Sequence, residues 1–461
     1  MQNVWRKDMD IIIVGCGQVG ETLAAELGEE GNNITMVDLS AEKISSITSK
    51  LDIMGVVGNG ATHTTLREAG IETADLLIAV TDSDELNLLC CLVAKRHGKC
   101  QVIARIQDPV YNSESSYLKN ELGLAMVINP QHAAAEEIAR VLRFPAANKI
   151  ETFAKGRVEL LKFRIPDDSM LVGMSVRNVI GRLKSDVLIC TCEREDTSHI
   201  VNGDFVFEKH DLISIIASPK NASDFFKKIG IKDHSVKDAF VIGTGHITYY
   251  LCDILRKSGI SIKVIDRNAV KCEELAALHN EVTVICGDET DQELLIEEGI
   301  EKADATLSIT ASDEENIFLS LSAKKYGRGK IITKIDKPEY DDVIRHLDFD
   351  TTIYPKSITS DIITRYVRAM KNTRGSNVET MYTFIKDEVE ATEFMIGEGA
   401  PVINIPLVEL GPKLKADVLV AAILRGDTVI IPHGQDMIKA GDAVVIVSKL
   451  LGLNDISNII R

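Results

Sequence analysis

The stretch Ile11-Ile12-Ile13-Val14-Gly15-Cys16-Gly17-Gln18-Val19-Gly20 decides the fold of this chain. Its first four residues are all β-branched, the pattern of a short parallel strand buried on both faces. The Gly-x-Gly-x-x-Gly that follows opens a helical pattern, and Asp38 lies 18 residues after Gly20 at the end of the next β-branched run. Strand, glycine-spaced turn, helix and downstream acid in that order read as a dinucleotide-binding βαβ unit. Gly15 permits the tight turn, Gly17 lets backbone approach a pyrophosphate, and Gly20 lets the helix lie close to the sheet. The backbone N–H groups of the loop, with Cys16, Gln18 and Val19 among its residues, and the positive helix end then hold phosphate. Asp38 accepts hydrogen bonds from ribose hydroxyls and repels a 2′-phosphate, which disfavours NADP.

Working outward, 34–37, 53–57, 76–80 and 102–106 are further short β-branched runs, separated by helical patterns such as 85–96. Strands alternating with helices predict a parallel sheet. Pro130 opens a longer helical pattern that runs to Arg143, with Pro145 after it. The texture then changes to strands at 158–165, 187–192 and 212–216, with the turn pair Asn202-Gly203 between the last two. This predicts a small β-rich lobe.

The whole plan is duplicated. Gly15-Cys16-Gly17 recurs as Gly243-Thr244-Gly245 and Asp38 recurs as Asp266, both at an offset of 228 residues. Gly70-Ile71-Glu72 recurs as Gly299-Ile300-Glu301, and the stretch from Arg105 to Tyr111 recurs from Lys334 to Tyr340. The fold class is therefore α/β: two tandem Rossmann-like parallel-sheet domains, each followed by a small β-rich α+β lobe. The expected boundaries are 9–145, 146–220, 237–372 and 376–461, with the polar segment 219–237 linking the halves.

Ligand contacts concentrate where the strands end. Thr81 and Asp82 end the fourth strand, as helix cap or ligand contact. Arg105 ends the fifth, where it reaches a phosphate or ribose, or forms a surface ion pair. Gly58-Asn59-Gly60 borders an adenine pocket or is a plain turn. In the second half the loop reads Gly243-Thr244-Gly245-His246-Ile247-Thr248. The β-branched Thr248 in place of the third glycine is expected to push the helix off the sheet. Gly243, Gly245 and Asp266 remain, and Thr310 and Lys334 match Thr81 and Arg105. The second site is expected to be weaker or differently selective.

Composition narrows the function. With a formal net charge of −17 the chain repels phosphate backbones, so nucleic acid is excluded as a partner. The longest apolar runs, such as 418–424, fall far short of the roughly 20 residues of a membrane-spanning helix. The polar segment 1–8 is too short for a signal peptide, with Met9 an alternative start. Nine scattered cysteines show neither zinc-site nor CxxC spacing and read as reduced thiols of a cytoplasmic protein. The acidic runs Asp82-Ser83-Asp84-Glu85 and Asp313-Glu314-Glu315 read as helix N-terminal charges, and no metal site stands out. Asp168, Asp186, Glu193, His199 and His210 of the first lobe, and His433 and Asp442 of the second, form no constellation repeated in both halves. No catalytic residue is therefore assigned. An NAD-dependent oxidoreductase with its active site between modules is the alternative reading.

The order of these motifs resembles the regulator of potassium conductance (RCK, or KTN) family across residues 9–461. The resemblance rests on 11–20 with Asp38, on Ala79-Val80-Thr81-Asp82-Ser83-Asp84-Glu85-Leu86-Asn87, on Ile103-Ala104-Arg105, and on Ile430-Ile431-Pro432 with Ala440-Gly441-Asp442. Two modules on one chain are similar to the peripheral subunits of Trk-type potassium uptake. The first lobe departs, lacking the proline and carrying His210 in place of the glycine. The resemblance implies a regulatory subunit on the inner face of the cell membrane, partnered with an integral-membrane potassium channel or transporter. It implies a homo-oligomer, dimer or tetramer ring, that binds NAD(H), ATP or ADP as regulatory ligands and turns no substrate over. It also implies that the helix at 130–143 crosses to a neighbouring module.

Overall fold

A computed structural model describes residues 8–461 apart from 146, 154–156, 195–196, 231–235, 338–339, 348, 373–377, 386–387, 427, 450–452 and 454. The segment 1–7, the boundary at 376, part of the expected linker and two residues of the repeated 334–340 stretch lie outside the described residues.

The quoted stretch folds as read. Strand β1 (Asp10–Val14) leads through the glycine loop into α1 (Gln18–Glu29). There follow β2 (Asn33–Asp38), α2 (Ala41–Lys50), β3 (Met54–Val57), α3 (His63–Glu68), β4 (Leu76–Ala79), α4 (Asp84–His97) and β5 (Gln101–Arg105). Then come α5 (Pro109–Ser113), α6 (Ser115–Glu121), β6 (Met126–Ile128) and α7 (Pro130–Arg143). The strands are parallel in the order β3-β2-β1-β4-β5-β6. This is the doubly wound arrangement in which ligands sit where the strand order reverses, between β1 and β4. Ile12, Val14, Leu77, Ala79, Val102 and Ala104 of the central strands pack with Cys90, Cys91 and Ala94 of α4 into one core. The three-residue β6 escapes a sequence reading because it is shorter than any period.

The first lobe comprises β7 (Lys149–Phe153), β8 (Val158–Arg164), α8 (Val176–Leu183), β9 (Leu188–Arg194), β10 (Thr197–Ile200), β11 (Leu212–Ala217) and α9 (Pro219–Lys228). Its sheet is antiparallel, in the order β10-β9-β11-β8-β7. Two expectations are corrected here. Asn202-Gly203 is no hairpin turn: β9 already pairs with β10, and Asn202 accepts the Asp204 N–H in the loop after β10. The polar segment at 219 is no linker at its start either. Ser218 caps α9, and Ala222, Phe225 and Phe226 bury into the lobe's core against Phe163 and Phe144. The polar residues of α9 form its solvent face and mask the apolar stripe.

The second half repeats the plan. It runs β12 (Asp238–Ile242), α10 (His246–Lys257), β13 (Ser261–Asp266), α11 (Ala269–Leu278), β14 (Thr283–Cys286), α12 (Gln292–Glu297), β15 (Ala305–Ser308) and α13 (Asp313–Tyr326). It continues with β16 (Lys330–Lys334), α14 (Asp341–Leu347), β17 (Thr351–Ile353) and α15 (Pro355–Asn372). Its strand order is β14-β13-β12-β15-β16-β17. The second lobe holds β18 (Val378–Ile385), β19 (Val389–Met395), α16 (Leu407–Leu410), β20 (Val418–Arg425), β21 (Thr428–Ile430) and β22 (Ala443–Ser448). Its order, β18-β19-β22-β20-β21, reproduces that of the first lobe.

The chain divides into two units that each draw on both halves. One is 1–139 with 237–364, and the other is 140–236 with 365–461. In the first unit the two Rossmann-like halves pair. The Asn129 amide donates to the Tyr250 hydroxyl at 2.8 Å, and the His132 ring meets the Tyr250 ring edge-on. From the other side Lys356 of α15 donates to the Gln18 side chain of α1, and Thr364 donates to Glu26 at 3.1 Å. In the second unit the two lobe sheets share a core of Phe153, Val158, Leu160 and Ile216 with Ala391, Ala422, Leu424 and Val445.

The Gly-Asp turn before the last strand proves structural. Asp442 receives both Nε and Nη2 of Arg425, at 2.9 and 2.8 Å, and Asp211 receives the same pair from Arg194, at 2.8 and 2.7 Å. Gly441 has φ +84° and His210 has φ +66°, a left-handed conformation that favours glycine. His210 thus fills a turn position, its ring 3.1 Å from the Asp167 carboxylate.

Candidate nucleotide site

The loop between β1 and α1 is shaped by close approach. Gly15 has φ +109°, and a Cβ there would lie 3.0 Å from the Val80 carbonyl and the Thr81 nitrogen. At Gly20 a Cβ would lie 1.9 Å from the Gly15 carbonyl oxygen. Gly17 differs: a Cβ built on it meets nothing within 4 Å, so its face of the loop opens outward. Gly17 is also the N-cap of α1, and no side chain caps that helix, whereas Ser40, Thr62 and Ser83 cap α2, α3 and α4. The first turn of α1 therefore keeps its N–H donors and the positive end of its dipole for an anion. Val19 is buried on α1, so only its backbone can face such a ligand.

Asp38 closes the other end. Its Oδ2 accepts the Cys16 N–H at 2.7 Å and its Oδ1 accepts the Ser40 N–H at 2.8 Å, which locks the carboxylate beside the loop. Each oxygen retains a lone pair for a hydroxyl donor. Across the strand reversal, Arg105 is 8% exposed, and its Nη2 donates to the Thr81 carbonyl at 2.7 Å and to Asp82 at 3.2 Å. Its Nε is buried without a hydrogen-bond partner, an orphan donor that a phosphate or ribose oxygen would satisfy. The ion pair to the fully exposed Asp82 is thus one function of Arg105 and leaves a second donor over. Neither Thr81 nor Asp82 caps α4, because Ser83 does.

Two supporting residues escaped the sequence reading of the site. Asn87, fully buried, accepts the Thr81 N–H at 2.8 Å and hydroxyl at 2.7 Å, and donates to the carbonyls of Thr81 and Arg105. It pins the end of β4 to the end of β5. Asp84, read as a dipole-complementing charge, is buried and accepts the N–H groups of Gln107 and Asp108, at 2.9 Å each by Oδ2. Asn316 and Asp313 repeat both arrangements with Thr310, Lys334, Asp336 and Lys337. The signal was available: a Thr, an acid and an Asn at identical spacing in both halves.

The second site keeps the frame. Gly243 has φ +114°, a Cβ on Gly245 meets nothing within 4 Å, and no side chain caps α10. His246 is exposed on the first turn of α10 and Ile247 is buried behind it. Asp266 accepts the Thr244 N–H at 2.8 Å and hydroxyl at 2.7 Å. Burial pushes the Asp266 carboxyl up, but hydrogen bonds from the Thr244 hydroxyl and from the N–H groups of Asn268 and Thr244 win and hold it below the usual carboxylate range. Lys334 donates to the Thr310 carbonyl at 3.0 Å. Thr248 is fully buried and donates its hydroxyl to the Gly243 carbonyl at 2.6 Å, while α10 still starts at the position equivalent to Gln18. The Thr248 hydroxyl thus meets the Gly243 carbonyl through a hydrogen bond. Thr248→Ala is expected to cost about 1 kcal/mol in urea unfolding, the worth of one such bond.

The sites also differ at the sugar edge. Position 267 is Arg, paired with Glu289 and Glu315, where the first half has an exposed Leu39. Among the described residues no group of three or more His, Cys, Asp or Glu side chains is placed to hold a metal ion. No described helix is long and apolar enough to cross a membrane.

Comparison with known proteins follows the same division. The TrkA-N domain family matches residues 11–130 and 239–355, and the TrkA-C domain family matches 160–230 and 391–461. The Trk system potassium uptake protein TrkA homolog of Archaeoglobus fulgidus is 31% identical over 453 residues, spanning 98% of this chain and all of that protein. TrkA homolog 1 of Methanosarcina mazei is 30% identical over 95% of this chain and 97% of its own length. TrkA of Halomonas elongata is 29% identical over 95% of each. The crystal structure of the GsuK RCK domain is similar in fold, with a TM-score of 0.63 at 17% identity over 97% of this chain and 94% of that one. The GsuK channel bound to NAD gives 0.62 at 17% identity over 97% and 78%.

Proposed function

Because this chain belongs to the family of tandem TrkA-N and TrkA-C proteins, we propose that it is a nucleotide-binding regulatory subunit of a membrane potassium-uptake system. The observation that carries the proposal is the pairing of an open, uncapped loop at Gly17 with a carboxylate fixed at its flank and an orphan guanidinium nitrogen across the strand reversal. In this reading Gly15, Gly17, Gln18 and the first turn of α1 receive a diphosphate. Asp38 grips a ribose, Arg105 reaches an oxygen of the ligand, and Lys356 adds positive charge beside Gln18. The second loop, with Asp266, takes a related ligand with different preference. NAD(H), ATP and ADP are the ligands this chemistry suits. GsuK, similar in fold, has been solved bound to NAD and to ADP, which supports the choice.

The residues described bind and orient; none is assigned a catalytic role. Regulation then follows from differential affinity. The subunit, held on the inner face of the membrane by its channel partner and assembled into a ring, changes shape when one nucleotide replaces another. A nucleotide shifts that equilibrium only by its preference for one ring shape over the other. Tenfold preference is about 1.4 kcal/mol per site, so four equivalent sites supply about 5.6 kcal/mol, close to the roughly 5.5 kcal/mol that moves a population from 1:99 to 99:1.

Thermal unfolding in the presence of NAD, NADH, ATP, ADP and AMP tests the binding step. A ligand at 100 times its Kd stabilises the folded state by about 2.7 kcal/mol, a shift of several degrees. Absence of a shift with every adenine nucleotide would remove the proposed input.

A further inference from the structure

The sugar edge of the second site carries two neighbouring cysteines, and the first site has none there. Cys272 lies on α11 and Cys286 ends β14, where the parallel register sets Cys286 opposite Asp266. The Cys272 thiol donates to the Asp266 carbonyl at 3.4 Å and lies 3.8 Å from the Ile285 carbonyl. Cys286 follows Ile285 directly in the chain, and its thiol is among the groups that push the Cys272 thiol up. In the first half the equivalent residues are Ile44, packed against β3 at Gly55, and Val57, opposite Asp38. The pair therefore belongs to this half alone and is not demanded by the fold.

The two sulfurs differ in access. Cys272 is 5% exposed, whereas Cys286 is exposed and the chain's other eight cysteines are all buried. Burial, helped by the neighbouring Cys286, Asp266 and Glu289, pushes the Cys272 thiol up to about 11, so at neutral pH it is protonated and does not start an exchange.

We propose that Cys272 and Cys286 form a dithiol modification site that reacts with low-molecular-weight disulfides and closes to an intramolecular disulfide. The exposed Cys286 thiolate attacks one sulfur of the small disulfide. The small molecule's S–S bond breaks, one half leaves as a thiol, and Cys286 carries the other half as a mixed disulfide. Cys272 then loses its proton and attacks the Cys286 sulfur. The mixed disulfide breaks, the second half leaves as a thiol, and the Cys272–Cys286 bond forms. Two protein thiols are oxidised and one small disulfide is reduced to two thiols. The Cys272 sulfur lies 3.8 Å from the carbonyl of Ile285, the residue before Cys286, so closure joins two adjacent elements. The bond ties α11 to β14 and withdraws the Cys272 hydrogen bond from the Asp266 carbonyl, beside the carboxylate that would hold the ribose. That bearing on ligand binding rests on the function proposed above; the exchange itself does not.

The test uses the full native chain with 4,4′-dithiodipyridine, following 4-thiopyridone release and intact mass. The expected result is two thiopyridones per chain, a final mass lower by two hydrogens, no retained pyridine adduct, and a Cys272–Cys286 crosslinked peptide. Cys272→Ser should release one thiopyridone and keep the adduct, and Cys286→Ser should release none from the folded protein. Cys272→Ala serves as a second variant should serine disturb α11. A stable adduct on the unmodified chain, or release undiminished in Cys286→Ser, overturns the proposal. No nucleotide enters this experiment, so its failure is distinct from failure of the nucleotide reading.

Discussion

Asp38→Ala is expected to weaken nucleotide binding at the first site by about 100-fold or more and to abolish the nucleotide response of potassium flux. Hydrogen bonds to a charged acceptor contribute about 1.5–3 kcal/mol each, so losing the carboxylate removes at least about 3 kcal/mol. The same side chain accepts the Cys16 and Ser40 N–H groups. Its loss therefore also frees the loop that would meet the diphosphate. Asp38→Asn keeps the shape and one acceptor oxygen and should retain part of the affinity. Titration calorimetry with ADP and NAD reads the first effect, and ion flux through the reconstituted partner reads the second. Affinity and flux response unchanged in Asp38→Ala would sink the assignment of this site.

Asn87→Ala is expected to destabilise the chain by about 3–4 kcal/mol. The substitution removes a fully buried amide and strands the part-buried Thr81 N–H and the buried Arg105 carbonyl, and each unsatisfied buried group costs about 1–3 kcal/mol. Urea unfolding should show a lower midpoint with an unchanged slope if the compactness of the two states is preserved. Asn316→Ala should cost a similar amount, because its side chain bonds the Thr310 N–H at 2.8 Å and the Lys334 carbonyl at 3.0 Å in the same way. A loss below about 1 kcal/mol in both would mean the two strand ends hold their spacing without the amide.

How much of this was legible in the sequence depends on the kind of signal. The glycine loop, Asp38 and the central strands were legible because turn chemistry and hydrophobic period agree there with the final fold. The duplication located the second glycine loop and Asp266 by offset alone. The sequence misled where one property stood for two. The polar residues of 219–228 suggested a linker, but Phe225 and Phe226 at helical spacing bury into the first lobe. At Thr248 the steric bulk was visible in the sequence, whereas the hydroxyl's acceptor, the Gly243 carbonyl, was not. Asp84 was legible as a charge in the first turn of α4 but not as a buried acceptor, because its N–H donors lie 23 and 24 residues away.

The pairing of the two Rossmann-like halves, through Asn129 with Tyr250 and Lys356 with Gln18, sets the stoichiometry of the two clefts and so of the proposed switch. Halves on one polypeptide meet at an effective concentration fixed by the connecting chain, so dilution cannot part them. A mutation also strikes only one of them, whereas in a symmetric homodimer it would strike both. One cleft has a third glycine, and the other has a threonine, an arginine and two cysteines. The two clefts therefore stand in a fixed one-to-one ratio at any expression level.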